Sequence, residues 1–143
     1  DVAPKAVERL ETLAKDGKYD GVVFHRVIDG FMAQTGDVQV GKKGGDTSMA
    51  GMGGSDLPAL PAEFSNRSFQ RGIVGMARSS DPNSANSQFF IMFAPAPNLD
   101  GQYTVVGHVV SGMNVVDKIK KGDAAKNGLV EDPDFIASAT VEE

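Results

Sequence analysis

Residues 24–37, FHRVIDGFMAQTGD, constrain the fold more than any other stretch of this chain. Asp29-Gly30 at its centre is a strong signal for a tight hairpin turn. The run before it, residues 22–28, is rich in β-branched side chains and reads as a strand. In that strand Phe24, Arg26 and Ile28 point to one side, and Val23, His25 and Val27 to the other. Residues 31–35 return as its partner. The hairpin thus sets Arg26 among bulky apolar groups, Phe31 and Met32 included, with Gln34 close behind. An arginine in such company is costly to bury alone, so it is paired, exposed, or aimed at something outside the protein. A second block, NSQFFI at residues 86–91, sets another amide, Gln88, beside two aromatic residues. The two blocks read as the walls of one apolar cleft with a fixed cation at its edge.

Elsewhere the 17 glycines and 7 prolines imply many turns, and helical patterns are convincing only near the start and around residues 113–121. Residues 4–15 read as a helix with Val7, Leu10, Leu13 and Ala14 on one face, Pro4 in the first turn and Gly17 at the stop. Residues 36–61 form a Gly-rich stretch without periodicity, and so long a loop is usually functional or mobile. Strands are expected at 73–77, 88–93, 103–110 and 135–141, with Gly107 marking a bulge or a close backbone approach. A polar loop spans 78–87, turns span 94–102, and the second helix, holding 115–119, ends at Gly122. The mixture is that of a mostly β domain with a few helices. No repeat or second domain is visible, and 143 residues fit one domain over 1–143.

Charge and composition exclude several functions. With 14 Lys and Arg against 19 Asp and Glu, and no basic run, nucleic acid is not an expected partner. No apolar run is long enough for a membrane span. There is no cysteine, hence no disulfide or thiolate chemistry. GDVQVGKK at 36–43 nearly matches a phosphate-binding loop, but Lys43 replaces the required hydroxyl residue and no helical pattern follows. The two histidines, His25 and His108, have no carboxylate pattern around them that would suggest a metal, and His25 reads as a satisfied, partly buried side chain. A nucleophilic triad is unsupported, because no G-x-S-x-G element occurs.

For Arg26 the plain alternative is a structural ion pair with a distant carboxylate. Its neighbours argue otherwise. Phe31, Met32, Phe90 and Leu99 offer more apolar surface than one strand pair needs, and Gln34 and Gln88 lie beside them. Such amides can hold a peptide backbone by donor and acceptor at once.

These residues resemble the cyclophilin-type peptidyl-prolyl isomerases. FHRVIDGFMAQTGD is similar to that family's central signature nearly residue for residue, and Met76-Ala77, SQFFI at 87–91 and LDGQYTVVGHVVSGMNVVDKI at 99–119 fit in order and spacing. The resemblance implies a closed antiparallel eight-stranded barrel capped by two helices, with the family's N-terminal strands absent from this sequence, which starts at Asp1. It implies prolyl cis–trans isomerisation at a groove on the barrel's outer surface, with no metal and no cofactor. Arg26 would be catalytic, and Phe31, Met32, Phe90 and Leu99 would form the proline pocket. Gln34 would support Arg26 and the substrate backbone, Ala77 and Gln88 would line the groove, and Arg78 would offer contacts to the substrate backbone. Tyr103 stands where many members carry a histidine. Asn98 replaces a tryptophan found in tight cyclosporin binders, so weak cyclosporin binding at most is expected. The implied partners are proline-containing polypeptides, the implied state a monomer, and the compartment cytoplasmic, with periplasmic the alternative. A non-catalytic proline-peptide-binding module is the rival function.

Overall fold

In the computed structural model, which describes residues 2–45 and 49–142, the scaffold is an antiparallel sheet of five short strands. They are β1 (Arg26–Ile28), β2 (Met32–Thr35), β3 (Ile73–Met76), β4 (Phe89–Met92) and β5 (Val105–His108), in the order β1-β2-β4-β3-β5. The Asp29-Gly30 hairpin forms as its sequence predicts, with Gly30 at φ +75°. Helix α1 (Pro4–Lys15) and the single turn of α2 (Met113–Val116) complete the regular structure, with 3₁₀ turns at Pro97–Leu99 and Ala124–Lys126. Residues 46–48 of the expected long loop, and the terminal Asp1 and Glu143, lie outside the described residues.

Among the described residues the sheet is open and five-stranded, not the closed eight-stranded barrel that the resemblance implies. Two expected strands account for part of the difference. Val22 and Val23 make only isolated bridges, to Lys42 and Phe135, so the regular strand starts at Arg26. Of the expected strand at 135–141 only Phe135 pairs. Its neighbours satisfy their backbone groups irregularly: Gly21 N–H donates to the Ile136 carbonyl, Ile136 N–H to Val22, and Phe24 N–H to Asp134.

Helix α1 packs through Ala6, Arg9 and Leu13, whereas Val7, Leu10 and Ala14 of the expected face are only half-buried. Arg9 tolerates burial because its guanidinium donates to the carbonyls of Asn86 and Pro58, at 3.3 and 2.8 Å. The helix start has no capping side chain of its own. Glu63 substitutes, accepting from the N–H groups of Lys5 and Ala6.

Strand register positions everything that follows. Arg26 lies opposite Gln34, Gln34 opposite Phe90, Phe90 opposite Gly75, and Gly75 opposite Val105. Directly paired residues share a face, so this transverse row runs across all five strands on one side. The β3–β5 pairing shifts between Val74 and Gly75, which leaves Val106, next to Gly107, as the extra residue. Gly107 is therefore beside a bulge and not a close approach, since nothing lies within 4 Å of where its Cβ would be. Gly75 is the close approach: a Cβ there would meet Phe69 at 2.7 Å and Phe90 at 2.8 Å. Its missing side chain lets those two rings stack, with centroids 5.7 Å apart.

Candidate active site

The site-bearing face of the sheet opens into a cavity of about 560 Å³. Arg26, Phe31, Met32, Gln34, Ala77, Arg78, Phe90, Leu99 and Tyr103 all line it. Gln88, the remaining residue expected from sequence, lines an adjoining cavity of about 200 Å³ that shares Gln34, Ala77 and Arg78 with the first. The structure thus brings the whole expected set to one place.

Arg26 is held by neutral groups. Its Nε donates to the Asn127 carbonyl at 3.0 Å, one terminal nitrogen to Asn127 Oδ1 at 3.1 Å, and the other to Gln34 Oε1 at 3.1 Å. No carboxylate bonds it among the described residues, so the ion-pair alternative fails. Burial lowers its pKa from the ordinary arginine value, and arginine remains a cation across the working range. Gln34 in turn donates to Gln88 Oε1 at 3.0 Å, and Gln88 donates to the carbonyls of Gly51 and Gly53. The two amides are thereby oriented in series from the Gly-rich loop to the guanidinium.

The apolar wall is equally fixed. Met32, Phe90 and Leu99 are buried in one cluster with Phe69, and Phe31, Ala77 and Tyr103 pack against it. The Tyr103 ring meets Phe69 and Phe90 edge-on, and the Arg78 guanidinium lies over it at 4.5 Å. Leu99 comes from the 3₁₀ turn, whose following residue, Asp100, accepts from the Phe69 N–H.

The loop at 36–61 is organised by Asp37, which is fully buried. Its Oδ1 accepts from the N–H groups of Gln39 and Val40, and its Oδ2 from those of Gly51 and Gly53. The stretch that resembles a phosphate loop is thus a folded wall. Lys42 donates to the carbonyls of Lys18 and Asp20, and Lys43 sits over Phe135.

His25 requires a correction. It is buried and lines the cavity, but its Nδ1 has no hydrogen-bond partner, so it is not satisfied. Burial lowers its pKa below 6.5, opposed by Asp37 and reinforced by Arg26. Sequence reading also missed Ala50, Gly51, Met52, Lys126, Asn127 and Leu129, which all line the cavity. For Asn127 the available signal was the Asn127-Gly128 pair, a turn dipeptide; Asn127 adopts φ +57°. Among the described residues no group of 3 or more His, Cys, Asp or Glu side chains could hold a metal, and no helix is long and apolar enough to cross a membrane.

An apolar slot with a neutral-held cation, on the face of an antiparallel sheet with two helices, marks this molecule as a mostly β protein of the cyclophilin fold. The comparisons with known proteins agree. The family model described as cyclophilin type peptidyl-prolyl cis-trans isomerase/CLD matches residues 1–141. The chain belongs to that family. A probable peptidyl-prolyl cis-trans isomerase of Brucella abortus (strain 2308) is 63% identical over 144 residues, covering 99% of this chain and 74% of the relative. The isomerase ppi1 of Schizosaccharomyces pombe (strain 972) is 44% identical over 117 residues, covering 82% of this chain and 72% of its own. Cyclophilin AquaCyp293 from Hirschia baltica superposes with a TM-score of 0.79 at 26% identity, covering 97% of this chain and 66% of that one. A Cryptosporidium parvum cyclophilin, solved in the presence of the dipeptide Ala-Pro, gives 0.80 at 28% identity, covering 98% and 86%.

Proposed function

We propose that this cavity catalyses rotation about X-Pro bonds of polypeptides, with Arg26 as the catalytic residue. The observation that carries this reading is a guanidinium held by amides and a carbonyl, with no carboxylate among the described residues, at the wall of an apolar slot. Resonance makes amide rotation cost about 18–20 kcal/mol. As the bond twists, conjugation is lost and the proline nitrogen becomes pyramidal with a localised lone pair. A cation aimed at that nitrogen stabilises the twisted state more than either planar state, which is what catalysis demands. Phe31, Met32, Phe90 and Leu99 grip the proline ring. Gln34 supports Arg26 and the substrate backbone, Ala77 and Gln88 line the groove, and Arg78 and Tyr103 close one side. Exclusion of water by this wall strengthens the guanidinium interaction. A pure binding module would have no use for the cation.

The test is Arg26→Ala, assayed by exchange NMR on a short Ala-Pro peptide. The variant should keep the wild-type amide spectrum and lose about 100-fold or more in kcat/KM. Turnover equal to wild type would overturn the assignment, and binding without accelerated exchange in the wild type would favour a non-catalytic module.

The same reading takes the five-stranded sheet as the regular part of the family's closed eight-stranded barrel. The bridges of Val22 to Lys42 and Val23 to Phe135, which continue the wall past β1, support it. Asn98, exposed beside Leu99, supports weak cyclosporin binding at most.

A further inference from the structure

Among the described residues the cavity wall contains three cations, Arg26, Arg78 and Lys126, and no carboxylate, on a chain whose net charge is −5. The charge of these groups is not cancelled by their partners. Arg26 donates to Asn127 and Gln34. Arg78 donates to the carbonyls of Gln102 and Ser79 and rests on Tyr103. Lys126 approaches Glu131 only at 4.0 Å, with the two side chains 58% and 86% exposed, and an exposed pair of that kind holds little. The buried carboxylate behind the wall, Asp37, is engaged by four backbone N–H groups.

The cations are also spread across the groove. Lys126 precedes Asn127, on the segment whose Leu129 bridges to Arg26 at the outer side of β1. Arg78 follows β3, on the far side of β2 and β4. An extended peptide crossing the cavity therefore passes one further cation on each side of Arg26, neither of them tied to a carboxylate by more than the loose Lys126–Glu131 pair. Lys126 has a long stem and a weak tether, so its ammonium can follow a ligand.

We infer that the site selects proline segments carrying an acidic side chain within a few residues of the proline, recognised by Lys126 on one side and Arg78 on the other. The inference rests on the isomerase reading above and names its preferred substrate class. Complementary charge speeds encounter and penalises the wrong partner, and salt screens both effects.

The experiment compares hexapeptides with one Ala-Pro bond and Glu, Gln or Lys placed two residues before or after it. Exchange NMR gives kcat/KM, and titration of the same peptides gives Kd. The Glu peptide should exceed the Lys peptide by about fivefold in kcat/KM at low ionic strength, in one or both placements. The ratio should approach one at about 0.5 M salt, where the Debye length is only a few ångströms. Lys126→Glu should shrink or reverse the ratio for the placement it reads, and Arg78→Gln for the other. Equal values for Glu and Lys peptides, or a preference that neither salt nor these variants alter, would overturn the inference. The Gln peptide separates the two readings: fast exchange without charge preference sinks only this inference. Absence of exchange in all peptides sinks the isomerase reading, and the Kd series still decides whether acidic segments are preferred.

Discussion

At the residue scale, the arginine is only as useful as its aim, and Asn127 sets that aim with two oxygens. Its left-handed backbone, at φ +57°, is one that asparagine accepts more readily than most side chains. Asn127→Gly keeps that backbone and removes only the side-chain oxygen. It should lower kcat by about tenfold with little change in KM, the loss expected for one hydrogen bond to a charged group. Unchanged kcat in the exchange assay would show that Gln34 and the Asn127 carbonyl suffice. Arg26, Phe31, Met32 and Gln34 were legible in the sequence because they sit within one hairpin, where alternation fixes which side chains share a face. Asn127 was not, since it meets Arg26 across 101 residues and no local periodicity encodes such a contact. For His25 the alternation showed burial but not the orphaned Nδ1, which depends on what the fold places beside the ring.

At the element scale, the Gly-rich loop behaves as a wall because one carboxylate fastens both of its feet. Asp37 binds Gln39 and Val40 at one end and Gly51 and Gly53 at the other. The carbonyls of Gly51 and Gly53 then anchor Gln88, and through Gln34 they reach Arg26. Asp37→Asn puts an NH₂ group against two N–H donors, so at least two hydrogen bonds are lost in a buried site. A stability loss of about 2–4 kcal/mol is expected, read from the urea midpoint. Activity measured on the remaining folded protein should fall as well. Full activity in that variant would uncouple the loop from the guanidinium. The sequence marked this segment as functional or mobile by its length and its lack of periodicity. It did not reveal the carboxylate at its centre, because an Asp after a Gly looks the same whether it ends a turn or organises a loop. Helix α1 was legible in its limits but not in its buried face, which is rotated toward Arg9 by two carbonyls that only the tertiary fold supplies. The expected strand at 135–141 had suitable β-branched and aromatic residues, yet it shares only scattered backbone bonds with residues 21–24.

At the scale of the whole molecule, His25 links stability to pH. Its folded pKa lies below the ordinary value of 6.5, mainly through burial, with Asp37 opposing and Arg26 adding to the shift. The unfolded chain therefore binds the proton more readily. The contribution of His25 to stability is full above about pH 6.5 and is lost as pH falls toward the lower folded value, by up to about 1.4 kcal/mol per pH unit. Urea midpoints measured from pH 7.5 down to 5 should show this slope, and His25→Gln should flatten it; an identical slope in that variant would exclude the histidine. The family and its active face could be read from sequence because the motifs are contiguous. The extent of the sheet could not, because pairing partners lie far apart along the chain. The transverse row from Arg26 through Gln34, Phe90 and Gly75 to Val105 has a further consequence. A slip of one residue in any of these strands turns its share of the groove to the opposite side. Misaligned molecules are then silent rather than feebly or promiscuously active, so measured turnover counts the correctly threaded population.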